Sequence, residues 1–116
     1  MSTAQKELSE LADLEFTPYH PGSPVPEEEG LSIILDQLGG GWRIDENKRL
    51  VKEFRFPDVR QALAFADRVG EFSESVKHHP ELTVGWGFAR VSVWTHAIDG
   101  LCESDFIFAA KVDALE

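Results

Sequence analysis

From Val59 to Val76 the apolar residues Val59, Ala62, Leu63, Ala66, Val69, Phe72 and Val76 recur at helical spacing, and on both sides of this stretch the period falls to two. A chain that holds one period for roughly five turns and the other before and after it commits to a long helix laid against a sheet. Asp58 stands where the N-cap of that helix belongs. Pro80 is expected to end it, because the residue before a proline avoids the α region. Upstream, residues 42–45 and 50–56 flank a polar turn and place Leu50, Phe54 and Phe56 on one face, which reads as a hairpin. Downstream, Leu82, Val84, Trp86 and Phe88 alternate, followed by Ala89, Val91 and Val93, with Gly85 and Gly87 permitting a tight bend between two strands.

Two further helices frame these hairpins. Pro26 is suited to a first helical position, Glu27, Glu28 and Glu29 face the positive end of the dipole, and Leu31, Ile34, Leu35 and Leu38 repeat as one apolar stripe before three glycines stop it. After the turn at Asp99-Gly100, the residues Phe106, Ile107, Ala110 and Leu115 give an apolar side to a last helix from about Glu103. The order αββαββα, with every strand in a hairpin, predicts an α+β domain: a four-stranded antiparallel sheet carrying its helices on one face. A single covered sheet leaves a face or an edge open, so oligomerisation is expected to cover some of it.

The charge is uneven. Of the net charge of −10, residues 1–30 contribute seven acids against one base, and four of the six prolines fall between Pro18 and Pro26. That stretch lacks periodicity and cannot continue a helix, so residues 1–26 read as an acidic, proline-rich extension and residues 27–116 as the compact domain. Leu8, Leu11 and Leu14 suggest a short helix within the extension, marginal unless it packs on something. The acidity opposes direct nucleic-acid binding, and no apolar run approaches a membrane span. The opening residues are charged where a signal peptide is apolar, and the single cysteine, Cys102, excludes an internal disulfide, so a cytoplasmic setting is expected.

Chemistry is concentrated near the end of the long helix. His78 and His79 follow it, and His96 ends the last strand. Histidine can give and take a proton near neutrality, so several converging on one pocket suggest general acid-base work. Glu74, four residues before His78, would share its helical face and orient the imidazole. The plain alternative for a His-His pair at a helix end is capping and solvation. Zinc binding is the competitor, but adjacent residues leaving a helix diverge and no HxH, HxxxH or CxxC spacing is present, so no metal is expected. Cys102 reads as a small residue at a cap position, and His20 as a loop residue.

The run Glu74-x3-His78-His79-Pro80-x5-Trp86-x9-His96-x8-Asp105 resembles the signature of the pterin-4a-carbinolamine dehydratases, the family also called dimerisation cofactor of the hepatocyte homeodomain factor. Gly41-Trp42, Phe54-Arg55-Phe56, Ala62-x2-Phe65 and Gly100-Leu101-x3-Asp105-Phe106 resemble its bacterial members, over about residues 27–116. The resemblance implies a hydro-lyase that dehydrates 4a-hydroxytetrahydrobiopterin to quinonoid dihydropterin in tetrahydrobiopterin recycling, with a small-molecule pterin as partner, assembly as a homodimer or homotetramer, and no cofactor. It further implies that His78 and His96 are the acid-base groups and that His79 binds and polarises the pterin. Glu74 would position a histidine or the pterin, Asp105 would support the histidine set, and Pro80 and Thr95 would form pocket wall. Two positions depart from the animal members: Lys77 stands where they carry an acid, and Ser104 where they often carry arginine. The alternative on the same fold is a non-catalytic binding protein, like the Rubisco assembly factors or the coactivator among its relatives, with the acidic extension as a docking arm. On the enzyme reading, deletion of residues 1–25 is expected to leave turnover largely intact.

Overall fold

The long helix starts where its cap predicts: the carboxylate of Asp58 accepts the backbone N–H of Gln61 at 2.8 Å, and the helix runs Val59–Val76. The computed structural model describes residues 9–116. Within them the elements are α1 (Glu28–Gln37), β1 (Arg43–Ile44), β2 (Leu50–Arg55), α2 (Val59–Val76), β3 (Glu81–Gly85), β4 (Phe88–Val93) and α3 (Glu103–Asp113). Short 3₁₀ turns cover Glu10–Asp13 and His96–Ile98. The strands form one antiparallel sheet in the order β1-β2-β4-β3, as the two hairpin patterns require. Registers Leu50↔Val93 and Phe54↔Ala89 place Leu50, Phe54, Ala89, Val91 and Val93 on one face, all buried. The helices cover that face. Among the described residues no helix is long and apolar enough to cross a membrane.

The packing corrects four details of the sequence reading. Pro26 lies before the N-cap, which is Glu27, rather than at the first helical position. The inner face of α2 is Ala62, Phe65, Val69 and Ser73, while Val59 and Leu63 are 41% and 54% exposed. Trp86 belongs to the turn between β3 and β4 and is 82% exposed, because Gly87 takes a left-handed conformation (φ 82°) and reverses the chain there. The α2 helix ends at Val76, before any influence of Pro80, because Lys77 is left-handed (φ 56°) and both Lys77 and His78 turn their N–H groups back to the Ser73 carbonyl.

Helix α3 is the centre of the domain. Phe106, Phe108, Ala109, Ala110 and Val112 have no exposed surface and Ile107 only 5%, so it is apolar around nearly its whole circumference. It meets β2, α1 and the N-terminal 3₁₀ turn, whose Leu11 joins the same core. The predicted short helix is thus reduced to that turn: Leu14 is 45% exposed, and Leu8 lies outside the described residues. The change of sequence character at residue 26 does not coincide with a change in packing, since residues 9–17 are fastened to α1 and α3. At the far end of α3, buried Asp113 accepts the Trp42 indole N–H at 3.0 Å and pairs with Lys52 at 2.8 Å.

Candidate functional site

The left-handed Lys77 decides where the histidines go. Had α2 continued, His78 would stand one turn above Glu74; instead the chain turns, and the partners are exchanged relative to the sequence reading. His79 Nε2 lies 3.0 Å from Glu74 Oε2, and His78 Nε2 lies 2.7 Å from Asp105 Oδ1. The two pairs differ in environment. Glu74 and His79 are 78% and 56% exposed, whereas Asp105 is fully buried and His78 is 13% exposed.

Asp105 sits in the first turn of α3, where a carboxylate is favoured by the helix dipole. Its Oδ2 accepts the Thr95 hydroxyl at 2.7 Å and the Cys102 N–H at 3.0 Å, while Oδ1 faces His78. Three donors around an acceptor-only group fix the His78 proton on Nε2 and leave Nδ1 free of that bond. The imidazole is also flanked by two phenyl rings: the ring centroids of Phe16 and Phe108 each lie 5.3 Å from that of His78, with the planes at 47° and 65°. Cys102 is a buried cap residue whose sulfur lies 3.4 Å from Thr95 Oγ1.

His96 arrives from β4, at the start of the 3₁₀ turn that the Thr95↔Gly100 bridge and left-handed Asp99 close. Its ring stacks on Trp94 at 4.5 Å and 19°, and the Arg49 guanidinium lies 4.0 Å from the Trp94 ring. Among the described residues neither ring nitrogen of His96 has a hydrogen-bond partner.

His78, His79 and His96 line one cleft of about 260 Å³, together with Thr95, Lys77, Ala97, Pro18 and Tyr19. Pro80 leads away into β3 and Glu74 stands behind His79, neither lining the cleft; Asp105 lies beneath it. Trp86, though part of the sequence pattern, is at the tip of the β3-β4 turn and not in the cleft. Sequence reasoning missed Phe16, Pro18, Tyr19 and the Arg49-Trp94 stack. Nothing in the aperiodic proline segment signals where it lies in space. A roomier concavity of about 540 Å³ on the open face of the sheet is lined by Arg43, Glu53, Glu81 and Arg90 among others, and contains no histidine. Among the described residues no three His, Cys, Asp or Glu side chains are placed to hold one metal ion. The cleft therefore offers proton transfer from a set of imidazoles, one of them backed by a buried carboxylate.

The family described as Pterin 4 alpha carbinolamine dehydratase matches residues 24–115. A protein of Rubrobacter xylanophilus named "Putative pterin-4-alpha-carbinolamine dehydratase" is 48% identical over 108 residues, 93% of this chain and 100% of its own length. With 93% of this chain covered, residues 9–26 lie within the matched span. Among solved structures, a transcriptional coactivator/pterin dehydratase from Brucella Melitensis superposes with a TM-score of 0.72 at 27% identity, over 79% of this chain and 98% of that one. A pterin dehydratase-like protein identified as a RuBisCO assembly factor in the alpha-carboxysome superposes with a TM-score of 0.56 at 30% identity, over 65% and 88%.

Proposed function

Because the chain belongs to the pterin 4 alpha carbinolamine dehydratase family, we propose that it dehydrates 4a-hydroxytetrahydrobiopterin or a closely related pterin carbinolamine to the quinonoid dihydropterin. The observation that carries this reading is the convergence of His78, His79 and His96 on one cleft, with His78 backed by buried Asp105. In the reaction the C–O bond at the carbinolamine carbon breaks, the departing hydroxyl takes a proton to leave as water, and a ring nitrogen gives one up. The change needs two proton transfers and no electron transfer, which imidazoles supply.

The roles follow from the surroundings. His78, its tautomer set by Asp105 and its ring held by two phenyl groups, is an oriented acid-base group. Among the described residues His96 has no hydrogen-bond partner for either ring nitrogen, and it exchanges its proton with the substrate. His79, steadied by Glu74 at the solvent edge, binds and polarises the pterin, and Thr95 forms wall. The volume of about 260 Å³ is below the range of about 300–1,000 Å³ usual for ligand clefts, which suits a bicyclic head with its side chain left in water.

The test is stopped-flow absorbance of enzymatically generated 4a-hydroxytetrahydropterin. Wild-type protein should accelerate dehydration, and His79→Ala and His96→Ala should each lower kcat by about 10²–10⁴-fold with unchanged melting. Wild-type-like turnover in both variants would remove the histidine assignment. No acceleration by folded wild-type protein would favour the second reading, a non-catalytic assembly role like that of the carboxysomal relative.

A further inference from the structure

An extension detached from the domain would leave the cleft to residues 27–116 alone. The packing from residue 9 onward is different. Ser9 Oγ donates to the Gln37 carbonyl at 2.6 Å, Lys111 Nζ donates to the Ala12 carbonyl at 2.9 Å, and Ser104 Oγ donates to the Thr17 carbonyl. Leu11 is 6% exposed in the core. Ser104 is thus the residue of α3 that fastens the segment next to the site. The chain so held carries Phe16 against His78 and sets Pro18 and Tyr19 into the cleft wall.

We propose that residues 16–19 are part of the working site, with Tyr19 contacting the substrate ring and Phe16 acting as a positioning residue that keeps His78 on Asp105. The proposal rests on the dehydratase reading above. The rest of the cleft wall is three imidazoles, an ammonium group, a hydroxyl-bearing threonine and one alanine. A planar bicyclic ring leaves water most readily against a flat apolar face, and the half-buried phenol ring of Tyr19, beside Pro18, is the face that the N-terminal segment adds. Phe16 acts differently. Its ring touches both His78 and Phe108, at 5.3 and 6.3 Å, and so closes the side of the imidazole that would otherwise meet water. Removing it frees the ring to rotate and lets water compete for Asp105.

The experiment uses the full chain with Tyr19→Ala, Tyr19→Phe, Phe16→Ala and Phe16→Leu, each checked by thermal melting. Tyr19→Ala should raise KM about tenfold with kcat within about threefold, and Tyr19→Phe should restore KM to within about twofold, since the ring face is what binds. Phe16→Ala should lower kcat about tenfold with little change in KM, and should shift the ¹⁵N resonances of the His78 ring; Phe16→Leu, which refills the space, should recover most of both. An active wild type whose KM is unmoved by Tyr19→Ala, or whose kcat and His78 resonances are unmoved by Phe16→Ala, overturns the proposal while leaving the dehydratase reading intact. If wild-type protein shows no turnover, that reading falls and the wall is judged by equilibrium binding of oxidised biopterin. A Kd weakened about tenfold in Tyr19→Ala upholds the wall, and an unmoved Kd or no wild-type binding overturns it.

Discussion

Asp105 in the first turn of α3 and Asp113 at its last residue are 0% and 4% exposed, and donors converge on both carboxylates. They differ in what lies beyond those donors. Around Asp113, Trp42 is buried, while Lys52 lies over the Phe54 ring at 4.6 Å and reaches the edge of the concavity on the open sheet face, where no histidine stands, and its ammonium offsets a carboxylate at the unfavourable end of the helix dipole. Around Asp105, two donors are buried, Thr95 and the Cys102 N–H, but the third belongs to His78, which also lines a cleft. A buried carboxylate joins a proton-transfer site when the donor it orients is an imidazole facing a cleft; an indole and a lysine ammonium leave it the role of holding the fold together.

The largest effect should separate the two ends by activity. Asp105→Asn replaces an acceptor-only group with one whose amide must turn an N–H toward a donor, so the His78 tautomer is no longer imposed. Turnover should fall on the order of 10²-fold, with a stability loss of about 1–3 kcal/mol read from denaturant melts. Retained turnover would break the comparison, because Asp105 would then be as purely structural as Asp113.

The next effect is on stability. Asp113→Asn leaves the Lys52 ammonium, 17% exposed, without its anion, and breaking such a pair costs about 3–5 kcal/mol. Chemical denaturation should show that loss, while kcat of the folded fraction stays within about twofold of wild type. Adding Lys52→Met should recover part of it, since the penalty lies in the unpaired charge rather than in the missing contact. A large fall in kcat from Asp113→Asn alone would show that the two ends of α3 are coupled.

The same contrast explains what was legible in the sequence. The order of elements followed from periodicity, because burial on a sheet face or a helix stripe is written directly in residue spacing: Leu50, Phe54, Ala89, Val91 and Val93 lie where their alternation puts them. The histidines were legible as acid-base side chains gathered at the ends of two elements, and Asp105 through family resemblance. The partners were not. Pairing Glu74 with His78 assumed that helical geometry persists past Val76, and one left-handed residue, Lys77, overturns it. A lysine in that conformation carries no sequence signal, since glycine is the usual occupant. Phe16 and Tyr19 were illegible for another reason: a segment without periodicity carries no record of the surface on which it lies, and only the all-round burial of α3 shows that something must cover it.

The smallest expected effect concerns His96, whose ring bonds to no carboxylate among the described residues and is steadied by stacking instead. Arg49 lies over Trp94 at 4.0 Å, and Trp94 over His96 at 4.5 Å. Arg49 also pairs with Asp99 at 2.9 Å, but Asp99 is 81% exposed and solvent screens that bond. Arg49→Ala removes one exposed ion pair, one cation–π contact and an exposed hydrogen bond from Arg49 Nη1 to the Asn47 carbonyl at 2.8 Å while leaving the Trp94-His96 stack in place, so stability should change by about 1 kcal/mol and kcat by no more than about threefold. The salt dependence of the wild-type melting point should shrink slightly in the variant. If Arg49→Ala instead matched the loss in Asp105→Asn, the guanidinium would be orienting His96 through the indole as firmly as Asp105 orients His78. All three histidines of the cleft would then be braced, His79 by exposed Glu74, and proton transfer by His96 would have to be explained for a ring as constrained as His78.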